Sequence, residues 1–367
     1  MDTGGLETNL VGLARELSLR GHQVLVVSSG GNLVSELEAA GAEHLCLPLR
    51  VRNPVGLIRA SLVLRRLLRR ESVAIAHSMS AAGSVALALA TRHSGCRFVA
   101  SPMGLQNSDR ESRLVTDVRN VLLTYRMDRA LAISEEIERG LRRVRVDPER
   151  IIRCDVVGID PAAFGGAPGD RRRIRDEFGV PVEGVVISTI GALHVRKRHD
   201  LFLRACRDVA AVEPGAYFLV VGDGPERVNL QGVAVDMGIA SRVRFTGRRR
   251  DIGAVLAATD VYVKPGVVEG FIGITVLEAM AANVPVVAFD TRDVRAAIVP
   301  GQTGLVVPAR DVAALGSAIC RLLQDPVLAD ALSAHARELV LTRFDRRTVA
   351  ANLEQVYLSL VSEPSAA

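Results

Sequence analysis

The sequence predicts an α/β protein built from two doubly wound, Rossmann-like domains that face each other across a cleft. Three observations carry that prediction. Short β-branched, apolar runs alternate with amphipathic stretches along all 367 residues, the pattern of parallel βαβ units. A stretch rich in Gly, Pro and charge, residues 161–181, interrupts the alternation and divides it into two series. The length suffices for two domains, each with its own buried core.

In the first series, residues 23–28 (QVLVVS), 73–77 (VAIAH), 97–101 (RFVAS) and 130–134 (ALAIS) read as buried strands. Helices are expected over 7–20, 57–70, 81–92 and 135–144. Ser134 ahead of Glu135 and Glu136 marks one helix start, because carboxylates suit the positive end of a helix. The second series places strands at 185–190, 217–221, 243–245, 261–263, 284–288 and 305–307. It closes in helices over 312–323, 327–341 and 346–360. The hinge is expected within 161–181, with domains at 1–163 and 164–344 and a final helix and tail at 345–367. Sheets of this kind bind ligands at the carboxyl ends of their strands.

Composition narrows the function classes. Hydrophobic residues make up 49% and charged residues 24%, as in an ordinary globular chain. No apolar run approaches the roughly 20 residues that span a bilayer, and no charged-then-apolar leader opens the sequence. The five cysteines are scattered without CxxC spacing, which points to reduced thiols, a cytoplasmic setting and no metal site. The net charge of +5 raises the question of nucleic acid. Of 46 basic residues only Lys197 and Lys264 are lysines, and the arginines are spread along amphipathic helices. Aromatics are 4% with no Trp, so base-stacking platforms are scarce and nucleic acid is set aside. A membrane surface or an anionic substrate stays compatible with the charge.

Four segments hold candidate chemistry. Residues 268–282 (VEGFIGITVLEAMAA) put Glu269 before a Gly-rich turn, Gly270-Phe271-Ile272-Gly273, that leads into a helix bearing Glu278. Such a turn lets backbone N–H groups approach an anion, and two carboxylates can accept hydroxyl hydrogen bonds; alone, it also reads as a turn with two surface glutamates. Residues 190–200 (IGALHVRKRHD) follow a strand end with Gly191 and the cations Arg196, Lys197 and Arg198. This is either a diphosphate site or a solvated basic loop, and the rarity of lysine favours the first. Gly222 and Gly224 in VVGDGPER turn the chain ahead of Pro225, a weak nucleotide signal. Gly4 and Gly5 precede the first helix as a phosphate or sugar contact, or simply as its entry. His77 ends a strand and is a candidate donor- or acceptor-sugar contact, or equally a packed structural histidine. No Asp and His pair with a Ser or Cys nucleophile, so a hydrolytic triad has no support.

In order and spacing these pieces resemble the retaining glycosyltransferases of family 4, with the B-type two-domain fold, over nearly the whole chain. The resemblance runs through Gly4-Gly5-Leu6-Glu7, the loop Gly191, Leu193, Lys197, the run VVGDGPER and VRFTGRRRDI. It continues through EGF…LEAMAANVPVVAFDT, GQTGLVVPARD and the terminal RFDRRTVAANLEQVY. It implies a metal-independent transfer of sugar from a nucleotide-diphosphate donor to a glycan or lipid-linked acceptor, in cell-surface polysaccharide or glycolipid synthesis. No cofactor is implied beyond the donor itself. The first domain would serve the acceptor and the second the donor, in a cytoplasmic protein; the basic, amphipathic stretch 104–126 permits a membrane-bound acceptor and peripheral contact at the inner membrane face. Lys197, with Arg196, would neutralise the diphosphate, Glu278 would bind ribose hydroxyls and Glu269 the transferred sugar. Amides at Phe271, Ile272 and Gly273 would cap a phosphate, and Thr246 and Gly247 would border the base.

The sequence departs from the family pattern in four places. Ala192 stands where arginine is common, eight residues rather than seven separate Glu269 from Glu278, and a basic group is replaced near Pro102-Met103-Gly104. The strand expected before the Gly4-Gly5 loop is missing, so a gap or distortion is expected in the first sheet. Ala192 and that strand motivate a second reading, a non-catalytic nucleotide-sugar binding protein of the same fold.

Overall fold

The computed structural model describes residues 4–47, 54–92, 94–101, 126–181, 183–267 and 273–363. The chain divides into two compact units, Met1–Gly158 with Arg346–Ala367, and Ile159–Asp345.

Unit 1 runs α1 (Gly5–Leu19), β1 (Leu25–Ser28), α2 (Val34–Ala39), β2 (Glu43–Cys46), α3 (Pro54–Arg70), β3 (Ile75–Ser78), α4 (Ala81–Ala90), β4 (Arg97–Ala100), β5 (Arg129–Ala132), α5 (Glu135–Arg143) and β6 (Ile151–Arg153). Ser80 and Ser134 cap α4 and α5 by accepting from the amides of Gly83 and Ile137, satisfying donors the helix leaves open. The strands form two parallel sheets, β1-β2 and β3-β4-β5-β6. Among the described residues no strand joins β1 to β3. Val27 of β1 nevertheless packs on the core cluster of Ala76, Phe98 and Ala130, so the expected break falls inside one unit.

Unit 2 runs α6 (Asp170–Glu177), β7 (Val185–Ile190), α7 (His199–Val212), β8 (Ala216–Val221), α8 (Arg227–Asp236), β9 (Val243–Gly247), α9 (Ile252–Ala257), β10 (Val261–Lys264), α10 (Ile274–Ala281), β11 (Val286–Phe289), α11 (Arg292–Ala297), β12 (Leu305–Val307), α12 (Val312–Gln324) and α13 (Pro326–Leu339). Six parallel strands lie in the order β12-β11-β10-β7-β8-β9. Both faces are covered, so successive strand residues enter opposite cores: Ile187 and Val220 join Phe202 and Phe218, while Val186 and Leu219 join Ile174 and Val255. The winding reverses between β7 and β10, and the crevice beyond their carboxyl ends is the ligand position of a doubly wound sheet.

The stretch 161–181 lies within unit 2, and the units part at Gly158. The physical reason is anchorage. Arg175 of α6 is buried, donates to the carbonyls of Pro181 and Gly184, and pairs with Asp260 at 2.8 Å. Asp260 also accepts from the amide of Val186 at 2.7 Å, tying α6 to the sheet. The last helix, α14 (Arg346–Ser362), returns to unit 1. There Glu354 accepts from Arg20 at 2.9 Å and meets His22 at 2.7 Å. Asn9 of α1 holds the other crossing, donating to the carbonyl of Val156 at 2.8 Å and accepting from the amide of Gly158 at 2.9 Å.

Candidate functional site

Three loops at the carboxyl ends of β7, β8 and β9 are joined backbone to backbone. The Gly191 amide donates to the Val221 carbonyl at 2.9 Å, Leu193 to Asp223 at 3.0 Å and Glu226 to Leu193 at 3.0 Å. Gly222 donates to Gly247 at 2.9 Å, and the Thr246 hydroxyl donates to that same carbonyl at 3.0 Å. The glycines follow from this closeness. Gly222 has φ +136°, and a β-carbon there would overlap the Gly191 carbonyl; one at Gly224 would overlap the Leu193 carbonyl. Gly222 and Gly224 therefore hold the 191–193 backbone in place, a packing role that suffices to explain both.

The cations of the first loop fall into distinct positions. Leu193 is fully buried and pins the loop, whose residues Val195–Lys197 form a single 3-10 turn. Arg198 is neutralised by Asp200 through two bonds of 2.9 and 2.8 Å. Arg196 is exposed. Lys197 is half-buried, its Cδ and Cε lying 3.9 Å from where a β-carbon on Gly191 would sit. That puts one lysine at the end of β7, on one side of the switch point.

On the other side, β10 leads to α10, whose N-cap is Gly273. Glu269, Gly270, Phe271 and Ile272 lie outside the described residues. Tyr262 of β10 fixes the first turn of α10 through a 2.7 Å bond between its hydroxyl and that of Thr275. Glu278 follows one turn further along, and burial alone raises its carboxyl from 4.5 to about 7. A carboxylate desolvated in this way gains most from a ligand that brings hydroxyl donors. Among the described residues no three His, Cys, Asp or Glu side chains gather as a metal site.

Gly4, Gly5 and His77 belong to unit 1. Gly4 caps α1 in extended conformation, with the Glu7 carboxylate folded over it. His77 uses both ring nitrogens, one with the Tyr357 hydroxyl at 2.6 Å and one with the Ser101 hydroxyl at 2.7 Å. Burial lowers its pKa to about 4, so the ring is neutral, with both nitrogens engaged inside unit 1.

Residues 3–153 match the family described as Glycosyltransferase Family 4, and residues 184–325 match Glycosyl transferases group 1. The chain belongs to the family 4 glycosyltransferases. A GDP-mannose-dependent α-(1-6)-phosphatidylinositol monomannoside mannosyltransferase of Mycolicibacterium smegmatis is 34% identical over 54% of this chain and 54% of its own. A 2-deoxystreptamine glucosyltransferase of Streptomyces kanamyceticus is 30% identical over 54% and 55%. The chain thus spans about half the length of the curated relatives it matches. The fold extends further. A glycosyltransferase structure from Rickettsia africae superposes with TM-score 0.87 at 19% identity, covering 99% of this chain and 98% of that one. The HepE protein of Anabaena, in complex with UDP and glucose, gives 0.84 at 19% identity over 97% and 96%.

A second lysine stands across the switch point from Lys197, outside every motif in the sequence. Lys264, the chain's other lysine, ends β10 and pairs with Asp293. Its scarcity was the available signal, as it was for Lys197.

Proposed function

We propose that unit 2 binds a nucleotide-diphosphate sugar and that the chain transfers the sugar, with retention and without metal, to a glycan or lipid-linked acceptor. The observation that carries this is Lys197 at the end of β7, on the switch point whose other side is the N-terminus of α10. A cation and a helix N-terminus on the two sides of one crevice can stabilise a diphosphate as negative charge develops on it. Glu278 takes the ribose hydroxyls and Glu269 those of the sugar, while Thr246 and Gly247 border the base. As the glycosidic C–O bond to phosphate breaks, the acceptor hydroxyl attacks the same face. The departing phosphate oxygen takes its proton. Unit 1 serves the acceptor. A nucleoside diphosphate is expected to raise the melting temperature in the presence of EDTA, by about 2.7 kcal/mol of stability at 100 times its Kd. Stabilisation that appears only with magnesium or manganese would overturn the metal-free mechanism.

A lipid-linked acceptor fits one surface of unit 1, and the M. smegmatis relative is named for a phosphatidylinositol substrate. Val55, Ile58 and Leu62 of α3 are 61%, 55% and 48% exposed, beside exposed Arg59, Arg66, Arg69 and Arg70, and α3 contains no acid. An apolar and basic helix face of this kind lies on an anionic bilayer. No single described helix is long and apolar enough to cross one. The chain should co-sediment with vesicles containing phosphatidylglycerol and not with pure phosphatidylcholine. Ile58→Glu with Leu62→Glu should abolish this without lowering Tm; unchanged sedimentation removes α3 as the contact.

A further inference from the structure

We infer that Lys264 and Asp293 form a positioning pair for the donor site, fixing the first turn of α10 from below; this rests on the donor reading of that site. Lys264 Nζ lies 2.7 Å from Asp293 Oδ2, with the two side chains 5% and 2% exposed. An ion pair this deep in the protein is a poor way to add stability. Its desolvation cost offsets most of its attraction, and apolar replacements of similar volume are often neutral or better. The pair therefore calls for another reason, and its place in the fold supplies one.

Lys264 is the last residue of β10, the strand on the α10 side of the switch point. Its methylenes run beneath the N-cap of α10: Cε and Cδ lie 2.9 and 3.4 Å from where a β-carbon on Gly273 would sit. Two residues earlier on the same strand, and hence on the same face, Tyr262 bonds Thr275 in the first turn of that helix. Two side chains of one strand thus set the height and rotation of the turn that precedes Glu278. Asp293 holds the lysine from the third side. It sits in the first turn of α11, after β11, whose Ala288 is the register partner of Lys264. The buried charge has a single low-energy geometry, which an apolar side chain in the same space lacks. The ends of β10 and β11 and the starts of α10 and α11 are thereby locked to one another. The Gly273 side of the crevice depends on this lock, because an anion site made of backbone amides is only as well aimed as the turn that presents them.

The test is the charge-free double variant Lys264→Met with Asp293→Leu, probed with UDP and GDP. Its Tm should equal or exceed that of the parent, since no charge is left buried alone. Its Kd for the nucleotide that binds the parent should rise about tenfold or more, as misplaced site groups typically cost. Amide exchange should quicken in residues 274–278 and not across the rest of unit 2. A parental Tm with parental Kd and exchange would overturn the inference while leaving the donor reading intact. If the double variant does not fold, Asp293→Asn is read in the same way. It keeps an acceptor for Lys264, so a smaller rise in Kd is expected, and none would overturn the inference. Failure of both nucleotides to bind the parent would remove the donor reading and this inference together.

Discussion

Lys197→Ala is expected to lower turnover about 10²–10³-fold while leaving folding nearly unchanged. The side chain is half-buried on the rim formed by Gly191, so its removal opens no core cavity. Its charge matters most when the phosphate departs, an interaction stronger in the transition state than in the bound donor. Glu278→Gln should act differently, raising the donor Kd with a smaller effect on turnover, because a ribose contact serves both states alike. The pH dependence separates the two further. Burial lifts the Glu278 carboxyl from 4.5 to about 7, so the folded protein holds a proton that the unfolded chain releases. The ligand-free protein should therefore lose stability as pH rises from 4.5 through 7, and Glu278→Gln should flatten that loss. Hydroxyl donors favour the ionised form, so nucleotide binding should weaken about tenfold from pH 8 to pH 6 in the parent and hardly at all in Glu278→Gln. Equal, small effects of the two substitutions on kinetics would remove both assignments.

Strands buried on both faces were the most legible part of the fold. Val185–Ile190 falls where its apolar run indicates, and Val261–Lys264, buried throughout, within one residue of it. The strand Glu43–Cys46 escaped because it carries Glu and His, is exposed at both ends and contains no β-branched residue. Ile151–Arg153 is too short for periodicity to speak. That residues 161–181 group with unit 2 was hidden for a different reason. Arg171 and Arg175 in the segment 161–181 look like solvated linker charge until Asp260, more than eighty residues away, is known to bind both. Pairing at such range leaves no local trace. At the site, the order of motifs and the rarity of lysine located the cation loop. What stayed hidden was why Gly222 and Gly224 are glycine, since the Gly191 and Leu193 carbonyls that crowd them belong to a different loop.

That crowding separates two glycine-to-alanine changes in unit 2 that look alike in sequence. Gly232 lies inside α8 with nothing within 4 Å of an added β-carbon, and it has no positive φ. Alanine there should stabilise by about 0.5–1 kcal/mol, by restricting the unfolded chain and suiting the helix. Gly222 is the opposite case. Its φ of +136° is one that side chains rarely adopt, and the added carbon would strike the Gly191 carbonyl. Backbone cannot rotate aside as a side-chain tip can. Relief requires breaking the bonds from Gly191 to Val221 or from Gly222 to Gly247, and with them the join between the loops of β7, β8 and β9. Overpacking and backbone strain together should cost roughly 2–5 kcal/mol. The loss should not stop at stability, because Lys197 is carried by the loop that is pushed away. Gly222→Ala is therefore expected to weaken nucleoside diphosphate binding even at temperatures where it remains folded, whereas Gly232→Ala should bind like the parent. Chemical denaturation and nucleotide titration of the two variants give the measurement. A Gly222→Ala protein as stable as the parent would mean that the three loops are not joined as described. A less stable one with parental nucleotide affinity would separate the loop join from the donor site.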